Sequence, residues 1–180
     1  MVPLLGVLLG VLLGVGCVTD NTPESGASID PGAGGPPPLD LVADAPWPAP
    51  YDSDPVWRRA ATGNDMDLAR LARRENADAL LAAVPQGGSL GRTALAALPY
   101  AADRHTARGP LCAYLSRAQG PSLSLLLAGL FEAVVEAPRT VESHDPAADA
   151  QCTDALRALG AELASPGDRD RVVSVLDRLR

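Results

Sequence analysis

Three cysteines and two histidines hold most of the reactive chemistry in this 180-residue chain. A thiolate can act as a nucleophile, a metal ligand or half of a disulfide. Cys17 ends an apolar run, Cys112 sits in GPLCAYL and Cys152 in AQCTDAL. In an oxidising compartment Cys112 and Cys152 are a candidate disulfide. Closing a loop of that length contributes about 3–4 kcal/mol. The alternative is two separately buried thiols, because free Cys packs like a small apolar side chain. His105 lies in ADRHTARG and His144 in VESHDPAAD, and neither has HExxH spacing. His144 with Glu142 and Asp145 is one weak metal arrangement; a solvated acidic loop is the expected state, because a metal site needs several convergent ligands. GxSxG is absent, and without Lys there is no SxxK and no Walker lysine. GAGG lies in a Pro/Gly-rich stretch with no strand before it, so it reads as spacer. Glu132 and Glu136 stand one helical turn apart and read as a solvent stripe rather than an acid–base pair. The sequence therefore predicts no catalytic residue, no metal, no cofactor and no enzyme.

The surroundings of Cys17 are more informative. Residues 2–16 read VPLLGVLLGVLLGVG and carry no ionisable side chain. An apolar run, a small residue before a cut and a polar TDNTPESG after it match a secretory signal peptide. The stretch LGVGC, with Gly16 before Cys17, resembles a bacterial lipoprotein signal. The resemblance implies lipid attachment at the Cys17 thiol, cleavage after residue 16, and anchoring to a membrane by several acyl chains. Each buried methylene contributes about 0.8 kcal/mol, and stable anchoring takes more than one chain. Val18 follows Cys17 where Asp would favour inner-membrane retention, which leans the expectation toward the outer membrane. Two other readings remain. Gly6, Gly10 and Gly14 share GxxxG spacing, which suits an uncleaved anchor, and a plain secretory peptide needs no lipid. All three place the body outside the cytoplasm.

Charge divides the remainder. Residues 18–54 hold seven acids and no Arg, whereas residues 55–180 hold 15 acids and 15 Arg. The net charge of −7 thus belongs to one stretch and argues against a phosphate-tracking nucleic-acid binder. Ten of the 17 prolines also lie in residues 1–55. Residues 17–54 are accordingly expected to form an acidic tether, with 18–45 a disordered spacer too poor in large apolar residues to offset ordering entropy. PPP at 36–38 stiffens it locally or serves as a Pro-rich ligand. Trp47, Tyr51 and Trp57 cluster in PWPAPYDSDPVW. Large rings usually bury, so packing against the first helices is preferred to an exposed contact for a partner or glycan.

From residue 55 onward Leu and Ala recur at helical spacing. DMDLARLARREN, ADALLAAVP, SLGRTALAALP, RGPLCAYLSRAQG, PSLSLLLAGLFEAVVEAP, ADAQCTDALRALGAELASP and GDRDRVVSVLDRLR read as successive helices. Ser89 is a candidate N-cap and Pro99 a breaker. PSLSLLLAGLFEAVVEAP is apolar nearly all round and should be central. Arg58, Arg59, Arg70, Arg73 and Arg74 read as a solvated face beside Asp67, Asp78 and the tether, or as a contact for an acidic partner. VVSV is the one strand-like run, with helical flanks. Residues 138–152 read as an insertion before a helix that starts at Cys152.

Sliding Ala94–Arg117 by 61 residues onto Ala155–Arg178 gives seven identities in 24. An offset of 27 places Leu68 and Leu71 on Leu95 and Leu98, closer to one helical hairpin. A hairpin of short helices cannot bury its apolar face alone, so neighbours must stack. LARLARRENADALLAAV, GRTALAAL followed by GPLCAYL, and DALRALGAEL followed by DRDRVVSVLDRL resemble HEAT-type repeats of the phycobilisome-lyase-like variety. That resemblance implies an all-α body, a short α-solenoid of helical hairpins whose curved face binds other proteins. An irregular helical bundle is the alternative. The expected organisation is a signal peptide at 1–16, a lipidated tether at 17–54 and a helical-repeat domain at 55–180. The expected role is a lipoprotein of the bacterial cell envelope, held to a membrane by its lipid, facing the periplasm or exterior and displaying a protein-binding scaffold. The runner-up is an extracytoplasmic enzyme or ligand carrier with a pocket near the 138–152 insertion.

Overall fold

The computed structural model describes residues 35–136, 145–160 and 162–180. Cys17, the signal peptide expected at 1–16, Glu142 and His144 lie outside them. The body is all-α. Among the described residues eight helices run in the order α1 (Pro55–Ala60), α2 (Asp65–Arg74), α3 (Ala77–Ala83), α4 (Gly88–Ala97), α5 (Arg108–Leu115), α6 (Gly120–Val134), α7 (Pro146–Gly160) and α8 (Pro166–Arg178). Short 3-10 turns at Val84–Gln86, Leu98–Tyr100 and Arg104–Ala107 join α3 to α4 and α4 to α5. VVSV lies inside α8, and the described residues contain only one isolated bridge, Leu39 to Ala118.

Local sequence sets the helix starts. Free N–H groups of a first turn need an acceptor. Asp54 Oδ1 accepts from Val56 N and Trp57 N, with Pro55 at the first helical position. Asn64 caps α2, Asn76 caps α3 and Ser165 caps α8. Ser89 does not serve as the cap of α4. That position belongs to Gly87, and Ser89 Oγ instead accepts from Trp47 Nε1 at 2.7 Å. Asp145 Oδ1 accepts from Ala147 N and Ala148 N at the start of α7. The helix expected to begin at Cys152 therefore begins at Pro146, and Cys152 sits within it.

Helices adjacent in sequence pair as α1 with α2, α3 with α4, α5 with α6 and α7 with α8. In the last two pairs α5 packs on α7 and α6 on α8, first helix to first and second to second. The 61-residue alignment crosses this arrangement. It lays α4 and α5, which belong to different pairs, onto the single pair α7 and α8. The offset of 27 lays α2 on α4, the second helix of one pair on the second of the next. α6 is central as expected, packing against α4, α5 and α8 and burying Leu126, Leu127, Leu130 and Ala133.

The disordered-spacer expectation, drawn for residues 18–45, fails for residues 36–45. The packed unit begins at Pro36, not at residue 55. Leu39 and Leu41 are buried in the same core as the helices. Leu39 N donates to Arg117 O at 2.8 Å, and Leu41 N to the buried Ser122 Oγ at 2.9 Å. Gly88 N donates to Asp40 O at 2.8 Å, and the Arg92 guanidinium donates to Leu41 O. Glycine permits this approach: a Cβ on Gly87 would lie 2.6 Å from Asp40 O, and Gly87 has φ of 72°. Two leucines two residues apart share one side of an extended segment, so this short strap buries both. Trp47 and Trp57 are buried beyond it, edge to face with centroids 6.4 Å apart, and Tyr51 meets Trp57 at 4.9 Å. The aromatic segment thus packs against α1 and α4.

Candidate functional site

An open groove runs between α2, α4, the Leu98–Tyr100 turn and α6. Its volume is about 430 Å³. Leu68, Leu95, Pro99, Leu125 and Ala128 make it apolar, and Asp65, Tyr100 and Glu132 stand on it as polar groups. Each side chain has a local reason for its place. Asp65 is the first residue of α2, where a carboxylate favours the positive end of the helix dipole. Pro99 ends α4 and turns Tyr100 out into the groove. Gly129 lets α6 close on α4, since a Cβ there would run into the Leu95 side chain. Glu132 is exposed on α6, whereas Glu136, also exposed, lies past the helix end at Val134, so the two do not form the one-turn stripe expected of them.

Tyr100 OH donates to Asp65 Oδ1 at 3.0 Å. This bond, helped by partial burial and by the charges of Asp65 and Glu132, holds the phenol above its ordinary pKa. Tyr100 therefore stays a neutral donor through the physiological range. Tyr100 remains 40% exposed and Met66, next to Asp65 in the chain, 75% exposed. Arg92 also lines the groove, with its guanidinium engaged by the strap carbonyl of Leu41. The arrangement is an apolar channel with two carboxylates and a phenol ring on it.

Cys112 and Cys152 are joined as a disulfide between α5 and α7, with Cα atoms 5.1 Å apart. Both are buried, and an Arg108–Asp149 ion pair links the same two helices. His105 lies in the 3-10 turn Arg104–Ala107 and does not line the groove. Asp145 is a cap, and among the described residues no three His, Cys, Asp or Glu come together as a metal site.

No protein-family model, curated protein or solved structure matches this chain.

Further cavities lie elsewhere among the described residues. One of about 580 Å³ lies where the α5–α6 turn meets the end of α7, lined by Ser116, Gln119 and Glu162 among apolar residues. One of about 350 Å³ lies beside the start of α7, where a pocket near the insertion was expected. Asp149, Asp154, Thr153 and Arg157 line it, with Asp149 engaged by Arg108. His105 lines none of the three. No helix among the described residues is long and apolar enough to cross a membrane.

The arginines expected to form a solvated face are largely paired. Arg70 meets Asp67 at 3.3 Å, and Arg74 bridges Asp54 and Glu75, each at 2.8 Å. Arg58 stacks over Trp47 at 4.7 Å from the ring centroid. The feature that sequence reasoning missed is the groove itself. Asp65, Tyr100 and Glu132 lie on three separate elements, and nothing in their spacing brings them together.

Proposed function

We propose that this protein is a lipid-anchored, non-enzymatic scaffold of the bacterial cell envelope that binds another protein on its helical body. The observation that carries the scaffold part is the open apolar groove across α2, α4 and α6. Its size falls in the range of specific binding sites, and its floor is apolar, as interface cores are. The stacked pairs α5–α6 and α7–α8 support a short solenoid of the HEAT type, whose neighbouring hairpins share one core. The Cys112–Cys152 bond supports an extracytoplasmic address, since disulfides persist in oxidising compartments. The LGVGC stretch supports lipid attachment at Cys17 and so a membrane as one partner.

Intact-mass analysis of the membrane fraction tests the address. The expected mass is that of a chain beginning at an acylated Cys17 with Cys112 and Cys152 oxidised. A soluble intracellular chain that keeps residues 1–16 and carries no lipid overturns the proposal.

A further inference from the structure

We propose that the groove between α2, α4 and α6 receives a segment of a partner protein that carries an Arg or Lys one helical turn from large apolar side chains. This deepens the scaffold reading and rests on it. The occupant follows from chemistry in the groove. Leu68, Leu95, Pro99, Leu125 and Ala128 offer a surface that gains from covering by apolar side chains, because removing such area from water is favourable. Tyr100, one of the four exposed large apolar residues of the described chain, lines this groove. An apolar edge of this kind marks an interaction site more often than chance exposure does.

Charge then selects among apolar partners. Asp65 and Glu132 both line the channel, and both carboxylates act electrostatically on Tyr100. The Tyr100 hydroxyl is committed to Asp65. Its ring face is free to meet a cation in the way a guanidinium or ammonium meets an aromatic. The one basic side chain of the lining, Arg92, is held by the Leu41 carbonyl. An acidic segment would bring its carboxylates against Asp65 and Glu132, so like-charge repulsion excludes it. A wholly apolar segment would desolvate both carboxylates and bring them no counter-charge, with only the Tyr100 hydroxyl on Asp65.

Selection from a phage-displayed library of random twelve-residue peptides on the full-length protein tests this. Enriched peptides should carry Arg or Lys three or four positions from Leu, Phe or Met. A synthetic copy of one should bind in a polarisation assay, and Glu132→Lys should weaken it at least tenfold. Ala128→Phe, which fills the channel and adds no charge beside the carboxylates, should weaken it to a similar degree. Circular dichroism and the Cys112–Cys152 bond should be unchanged in both variants. Replacing the basic residue of the peptide by Glu should abolish binding to the parent and restore part of it with Glu132→Lys. The inference is overturned if no peptide is enriched, if the enriched set is not basic, or if both variants bind the peptide as the parent does. Enrichment of peptides that bind another face would leave the scaffold reading standing and remove this groove from it. Failure of the address, by contrast, would appear in the mass of the membrane-bound chain.

Discussion

Residues 36–100 are held by an extended strap, by glycines that admit it and by an aromatic corner, whereas α5 to α8 are held by a covalent bond and charged cross-links between longer helices. In the first region Leu41 carries both kinds of contact. Its side chain is fully buried, its N–H meets Ser122 and its carbonyl meets Arg92. In the second, Cys112–Cys152 and Arg108–Asp149 tie α5 to α7, and Ser124 Oγ donates to Asp168 Oδ2 at 2.6 Å between α6 and α8. Asp168 also accepts from Arg171 at 2.8 Å, so its buried carboxylate is satisfied twice. Short helices bury too little of themselves to stand alone. One half supplies what is missing with a piece of backbone, the other with a cross-link.

The largest test of that contrast is removal of the cross-link. Cys112 and Cys152 are 40 residues apart, and a loop of that length corresponds to about 4 kcal/mol of unfolded-state entropy. A Cys112→Ala, Cys152→Ala double variant should lose about that much stability in a urea melt. Amide exchange should rise first in α7 and α8, while α2 to α4 stay protected. Uniform loss of protection over both halves would mean that they unfold as one and that the contrast has no thermodynamic content.

Next in size is the strap. Leu41→Ala removes a fully buried side chain and should cost about 3 kcal/mol by lost transfer energy plus the cavity left behind. A free spacer would show no change at all. The expected signature is local as well: Trp fluorescence should shift red, since Trp47 lies at the end of the strap and bonds Ser89. An unchanged melting curve would return residues 36–47 to the tether.

These two halves differ equally in how far the sequence discloses them. Helical periodicity located α6 closely because a long Leu-rich run with Gly and Pro at its start leaves little choice. Cys112 and Cys152 were legible as a pair, and helix geometry supplied their partnership. The strap was hidden by composition: Pro36, Pro37, Pro38 and the surrounding acids suggest a solvated chain, and only Leu39 and Leu41 hint otherwise. An extended segment has no helical period, and its partners Gly87, Gly88 and Ser122 lie far away in sequence. The 61-residue register crosses helix pairs for a related reason, whereas the offset of 27 keeps second helix on second. Leu and Ala spacing is nearly the same on both helices of a hairpin, so sliding cannot tell a first helix from a second. The groove needs Asp65, Tyr100 and Glu132 together, and these meet only after packing.

A smaller effect probes the edge of the first half. Asp54 caps α1 and is bonded by Arg74 at the end of α2. The Arg74 hydrogen bond, aided by Trp57 N and Val56 N and opposed by desolvation, holds its carboxyl below the ordinary value. The folded state therefore binds this proton less readily than the unfolded chain. The stability it contributes is complete above the ordinary carboxylate pKa and is lost as pH falls through the lowered one. Asp54→Ala should cost about 1 kcal/mol at neutral pH, as lost caps do. The penalty should shrink toward zero in acid. A penalty that stays constant down to the lowest pH would assign the effect to packing rather than to the carboxylate.

The smallest expected effect is the most discriminating for where the body starts. The packed unit begins at Pro36, so deleting residues 20–33 should leave the melting temperature unchanged. Extending the same deletion through residue 45 removes Leu39, Leu41 and the acceptor of the Gly88 N–H, and stability should then fall steeply. A gradual decline would describe a tether that contributes weakly along its whole length. A step between the two deletions describes a boundary, because burial of two leucines and five hydrogen bonds to the strap backbone are gained within a few residues. The position of the step, read from a short series of truncations, measures where the spacer ends and the fold begins.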